Sequence, residues 1–252
     1  MNAFLGLLKK EMRLSLPFHL VVFAFVILVL GLTYWRLGSI EQVYFLGPIL
    51  FLIGLHIWYI PGHVLYSFGR EARMMHVFLH SPRSIHTLLM SKLLNSIVFF
   101  FISLALLNGL LFFVLSNIDT LNDYLATFAR FSLWIEAHFV LLSIYFGIFV
   151  FFLWTVHQFL KGAVGKWSWL LVGVLFIALP TVLGWFESQV LADYLNWGQL
   201  TYDFPSLEGK VEEFGKLELE GNFYIGTYVF HFILCAILYW LGSFILGRKV
   251  EV

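Results

Sequence analysis

His76 and His80 stand one helical turn apart in the stretch Phe68 to Leu93, FGREARMMHVFLHSPRSIHTLLMSKL, with His86 following. Two histidines at that spacing can share a metal ion on a helix face. No HExxH signature accompanies them, and Glu71 is the one acid nearby. Histidines on an interfacial helix, facing solvent or a protein partner, are the preferred reading, and no metal is expected. Gly165-Lys166 in LKGAVGKWSW has the ending of a phosphate-binding loop, but Leu160 stands where the first glycine is needed and Trp167 where Ser or Thr is needed. It reads as a basic loop with an aromatic anchor. Glu136 and His138 lie inside a long apolar run, a little after Arg130. Burying an ionisable group in lipid is costly, so such a residue points to function by default. Two readings stand side by side: an outer-rim pair of Glu136 with Arg130, or a polar lining of a cavity. His19, His56, His63, His157 and His231 read as packed or interfacial histidines. No nucleophile elbow, carboxylate pair or dinucleotide loop is visible, so no catalytic or cofactor-binding residue is assigned and the chain is not expected to be an enzyme.

The elements that must carry these residues are spanning helices. The chain has 252 residues, 61% hydrophobic and 12% charged, where soluble domains carry roughly 25% charged residues. That leaves too little polar surface for a water-soluble globule of this size. Aromatics make up 19%, with 29 Phe and 9 Trp, a composition suited to lipid-facing surfaces and interfacial belts. The lone cysteine, Cys235, excludes an intramolecular disulfide and a cysteine-based metal cluster. The start does not read as a cleavable signal peptide: Lys9, Lys10 and Arg13 sit among apolar residues, and no small-residue cleavage site follows.

The reading is an all-α polytopic membrane protein, one transmembrane domain over residues 1–252. Residues 1–16 form a basic amphipathic pattern, expected to lie in the interface and to end at Pro17. Spans need about 20 mainly apolar residues. Six runs qualify: 17–35, 44–67, 94–115, 131–157, 167–185 and 223–246, the second of them kinked near Pro61-Gly62. With the N-terminus inside, the inner segments hold eleven basic residues (Lys9, Lys10, Arg13, Arg70, Arg73, Arg83, Lys92, Lys161, Lys166, Arg248, Lys249) and the outer segments four (Arg36, Arg130, Lys210, Lys216). That excess predicts both termini in the cytoplasm of a multi-pass cell-membrane protein. The acidic loop 187–221 then lies outside, with a short interfacial helix in QVLADYLNWG and a polar hairpin or short helix after it.

The connector between the second and third runs has a shape of its own. Arg70-Glu71-Ala72-Arg73 is a polar exit, Met74 to Leu79 an apolar patch on a short helix, Ser81-Pro82 a break, and Ser84 the cap of the next helix. With the basic N-terminal segment, the six runs, the glutamate-led short helix, the SPRSIHTLLMSK corner and the larger last loop, the chain resembles the membrane subunit of an ABC-2-type ATP-binding-cassette transporter. Family members often carry Gly-Thr-Leu in the short helix where this chain has Met75-His76-Val77. The resemblance implies that this is a coupling helix seated on a separate ATPase, with Glu71, Arg73, Met75, His76, Phe78 and Leu79 at or near the contact. It also implies a second permease subunit, identical or related, with ATP and Mg bound by the ATPase partner and none by this chain. The implied function is a permease forming the pathway of what is expected to be an exporter, in contact with lipid and with no nucleic acid. Two alternatives are an ion-coupled carrier or intramembrane enzyme using Glu136 and the histidines, and a non-transporting sensor or immunity protein.

Overall fold

The computed structural model describes residues 3–37, 42–74, 84–118, 125–203 and 220–248. In hydrocarbon every backbone N–H and C=O must be satisfied within the protein, and apolar runs of this length meet that demand as helices. The elements are α1 (Ala3–Leu37), α2 (Leu46–Leu55), α3 (Tyr59–Glu71), α4 (Ile85–Ser116), α5 (Leu125–Val164), α6 (Ser168–Phe186), α7 (Ala192–Leu195) and α8 (Ile225–Arg248), with strands β1 (Gln199–Asp203) and β2 (Glu220–Tyr224) between the last two helices. The chain divides into two compact units, Met1–Phe151 and Phe152–Glu251, and α5 runs from the first into the second.

Among the described residues, five helical stretches are long and apolar enough to cross a membrane: Phe4–Arg36, Leu46–Glu71, Ile85–Ser116, Ser132–Leu195 and Ile225–Arg248. The chain is thus a helical membrane protein, with five such stretches where the sequence reading expects six. The fourth stretch holds two of the expected runs. Between them lies a short 3-10 turn, Gly165–Trp167, in which Gly165 has φ of 58°, a left-handed conformation that glycine adopts without steric cost.

Two boundaries differ from the sequence reading. Pro17 does not end a separate N-terminal helix; it lies inside α1, which runs unbroken for 35 residues, roughly 50 Å at the usual rise. Proline removes the bond to the carbonyl four residues earlier and disturbs the preceding turn. In that turn the guanidinium of Arg70 donates to the Leu14 carbonyl, next to the Arg13 carbonyl that Pro17 cannot serve, and so ties α3 to α1 there. The second run breaks at the 3-10 turn His56–Trp58, just before Pro61. Pro61 then falls in the first turn of α3, where its missing N–H would have had no partner within the helix.

In the first unit α4 packs along α1, α2 and α3. α5 approaches α3 so closely at Gly147 that a Cβ there would stand 2.5 Å from Cγ2 of Ile60. Phe68 and Phe151 meet at 5.3 Å and Trp58 stacks on Phe146 at 5.5 Å. In the second unit the last loop carries a π-helical turn (Glu187–Leu191), the short α7 and the ribbon, whose antiparallel register runs from Gln199 opposite Tyr224 to Asp203 opposite Glu220. The two strands add a β element to the all-α expectation. Gly226 allows the close approach here, since a Cβ there would overlap the Leu195 carbonyl. The rest of the expected polar hairpin, 204–219, lies outside the described residues.

Candidate functional site

Polar residues recur one turn apart on three helices that are otherwise apolar. On α1 they are Glu11, Ser15 and His19; on α3 Tyr59, His63, Ser67 and Glu71; on α4 Lys92, Asn95 and Ser96. Residues three or four apart share a helix face, so each helix presents a polar stripe. The stripes face one another and form a buried seam.

At one end of the seam sits Lys92, 2% exposed. Its Nζ donates to Glu11 Oε2 at 2.8 Å, Glu71 Oε1 at 2.9 Å and Ser67 Oγ at 3.1 Å. An ammonium has three donors, and three acceptors on two other helices take them. The Phe68 ring lies 5.8 Å from Nζ. Two carboxylates against one ammonium leave the cluster with a formal charge of −1. Arg70, beside Glu71 in sequence, brings a further positive charge to α3 while its guanidinium reaches the α1 backbone.

One turn along, the contacts are between neutral groups. Asn95 Nδ2 donates to Ser15 Oγ at 2.7 Å and lies 3.1 Å from His63 Nε2. Ser15 Oγ donates to the Met12 carbonyl at 3.3 Å, which leaves it an acceptor towards His19 Nε2 at 3.1 Å. His19 Nδ1 then accepts from the Tyr59 hydroxyl at 2.7 Å. The His19 ring stacks on Phe99 (3.8 Å) and His63 (5.1 Å), while Phe18 meets both histidines edge-on. Tyrosine, imidazole and serine can each pass a proton on, but the Asn95 amide nitrogen only donates. The set therefore works as a polar bracket joining three helices, interrupted as a proton path at Asn95.

Further along, His56 spans the bundle. Its Nδ1 donates to the Leu52 carbonyl at 2.8 Å, which makes Nε2 the acceptor for Ser103 Oγ at 2.9 Å, and Ser143 Oγ of α5 donates to the His56 carbonyl at 3.3 Å.

The sequence-derived candidates fall in three places. Glu71 is in the seam, bonded to Lys92, while Arg73 is exposed beyond it in the 3-10 turn Ala72–Met74. Met75, His76, Phe78 and Leu79, with His80 and the Ser81-Pro82 corner, lie outside the described residues. Ser84 caps α4 as read, its Oγ accepting from the Thr87 N–H at 3.2 Å. Glu136 lies against the amide of Asn108 on α4. The Arg130 side chain, its expected partner, is outside the described set. His138 donates from Nδ1 to the Trp134 carbonyl of its own helix at 3.1 Å.

The sequence reading missed Glu11, Ser15, His19, His63, Lys92 and Asn95 as one group. Their signal was the turn-by-turn recurrence of polar residues within apolar helices. Among the described residues, no group of three His, Cys, Asp or Glu side chains converges as a metal site would. Comparison with known family models, curated proteins and solved structures finds no match in any of the three.

Proposed function

We propose that this chain is the permease subunit of an ABC-2-type transporter, an exporter driven by a separate ATPase that binds ATP and Mg. On this reading it spans the cell membrane six times with both termini in the cytoplasm and pairs with a second permease subunit. The segment after Glu71 is then the coupling helix that seats on the ATPase.

One observation carries the reading. Glu71 and Lys92 bracket the connector, and the same ammonium also holds Glu11 of α1. A loop whose two ends are bound to each other and to a third helix cannot swing freely at its roots. Force applied to it passes to α1, α3 and α4 together. That is the mechanical requirement for a lever between an ATPase and a helix bundle. ATP moves such a bundle only by binding one global state better than the other. The permease supplies the lever and the pathway, and the partner supplies that difference.

The test is co-expression with an ABC ATPase encoded beside this gene, followed by detergent purification. The wild-type pair is expected to co-purify and to show permease-stimulated ATP hydrolysis. Phe78→Ala with Leu79→Ala, which spares the Lys92 cluster, is expected to lose most of that stimulation. Full assembly and stimulation in the double variant overturns the docking assignment, and no association with the wild-type chain overturns the permease reading.

A further inference from the structure

Glu136 lies apart from the seam, on α5 within a stretch long and apolar enough to span a membrane. Its Oε1 is buried without a hydrogen-bond partner, and so is Oδ1 of Asn108 on α4. The Asn108 side chain hydrogen-bonds to the Glu136 carboxyl, and Oε1 is the carboxyl oxygen left unmet. Asn108 is held in place by its own helix, its Nδ2 donating to the Leu104 carbonyl at 3.1 Å. Both unpartnered atoms are oxygens and therefore acceptors. Two acceptors of adjoining side chains cannot satisfy each other, and burying them unmet is costly. A donor brought to the carboxyl satisfies Oε1, and one carrying positive charge offsets the carboxylate as well.

We propose that Glu136 and Asn108 form an intramembrane site for a cationic hydrogen-bond donor: a proton carried on the carboxyl, or a primary ammonium group. The other titratable groups on the two helices are Arg130, His138, Tyr145, His157 and Lys161 on α5 and His86 and Lys92 on α4, of which Arg130 and His138 are the nearest to Glu136 along the chain. His138, two residues on from Glu136, points to another face of the helix. Ser132, one turn before Glu136, turns its hydroxyl to the Ala129 carbonyl at 3.1 Å. The inference stands on these two side chains and does not depend on an ATPase partner.

The experiment is labelling of the purified full-length protein with dicyclohexylcarbodiimide near pH 7, with the adduct located by peptide mass spectrometry. The reagent reacts with a protonated carboxyl in an apolar setting, whereas a solvated glutamate at about pH 7 is almost wholly ionised. An adduct on Glu136 is expected, absent from Glu136→Gln. Millimolar hexylammonium that lowers the labelling several-fold identifies an ammonium site, and labelling indifferent to it identifies a proton site. No adduct on wild-type Glu136, together with an unfolding midpoint that hexylammonium raises no more than in Glu136→Gln, overturns the proposal. An adduct that appears only in Arg130→Gln overturns it as well, since Glu136 would then be an ionised partner of that arginine.

Discussion

The two units of the chain bury different chemistry. In the first, Glu11, His19, His63, Lys92 and Asn95 are all at most 4% exposed and bonded across helices far apart in sequence. In the second, α6 buries only Ser168 and Val172, while Trp169, Ile177 and Trp185 are each more than 60% exposed. Hydrocarbon is as apolar as a leucine side chain, so helices in a membrane gain little by hiding apolar surface from it. Specific pairing then falls to polar bonds and close packing. The first unit has both, in the seam and at Gly147. The exposed apolar surface of α6 is suited to lipid.

The sharpest way to break this contrast is at Lys92. Lys92→Met leaves Glu11 and Glu71 buried without their cation, and losing one partner of a buried pair costs about 3–5 kcal/mol. Thermal unfolding in detergent is expected to show a large drop in midpoint. Adding Glu11→Gln and Glu71→Gln is expected to recover most of it, because a buried ion cluster replaced as a whole is often nearly neutral. A triple variant as unstable as Lys92→Met would mean that the charges are not what holds the three helices.

Close packing gives a smaller, paired test. Gly147→Ala forces a methyl against Ile60 and is expected to cost about 1–3 kcal/mol. Ile60→Ala removes the opposing methyl, so the double variant is expected to be more stable than the sum of the two single losses. At Gly173 on α6 a Cβ meets nothing within 4 Å. Alanine there is expected to be neutral, or stabilising by at most about 1 kcal/mol from helix propensity. Equal losses at the two glycines would erase the difference between α5 and α6. Within the seam, Asn95→Leu strips Ser15 and His63 of a donor, and a loss of about 1–3 kcal/mol is expected in the same unfolding assay.

Much of the helical framework is legible in the sequence because it is local. Apolar length gives the spans, and Ser84 announces the start of α4 with a cap that the structure keeps. Pro17 misleads because a proline disturbs one turn without ending a helix that packs along its neighbours, as α1 does along α2, α3 and α4. The seam is half legible. Each stripe can be read on its own helix, but which stripe faces which is a tertiary fact. Lys92 is 81 residues from Glu11 in the chain, and no local pattern links them. Glu136 shows the same limit, for Asn108, which lies against it, stands on another helix.

The smallest expected effect says most about the second unit. Ile177 and Val182 on α6 are 69% and 60% exposed. If only acyl chains cover them, Ile177→Leu and Val182→Leu exchange one apolar surface for another in a fluid solvent, and the unfolding midpoint should move by no more than about 0.5 kcal/mol allows. A protein partner packed on either residue would respond differently. Packed interfaces resist even a volume-conserving change of shape such as Ile177→Leu, at up to about 1.5 kcal/mol, and an added methylene such as that of Val182→Leu at about 1–3 kcal/mol. The measurement belongs in nanodiscs, with cross-linking across α6 read beside the midpoint. A flat response with no cross-link leaves α6 to lipid; a shifted midpoint together with a cross-link would place a second subunit on it, and α6 would then have a packed face of its own.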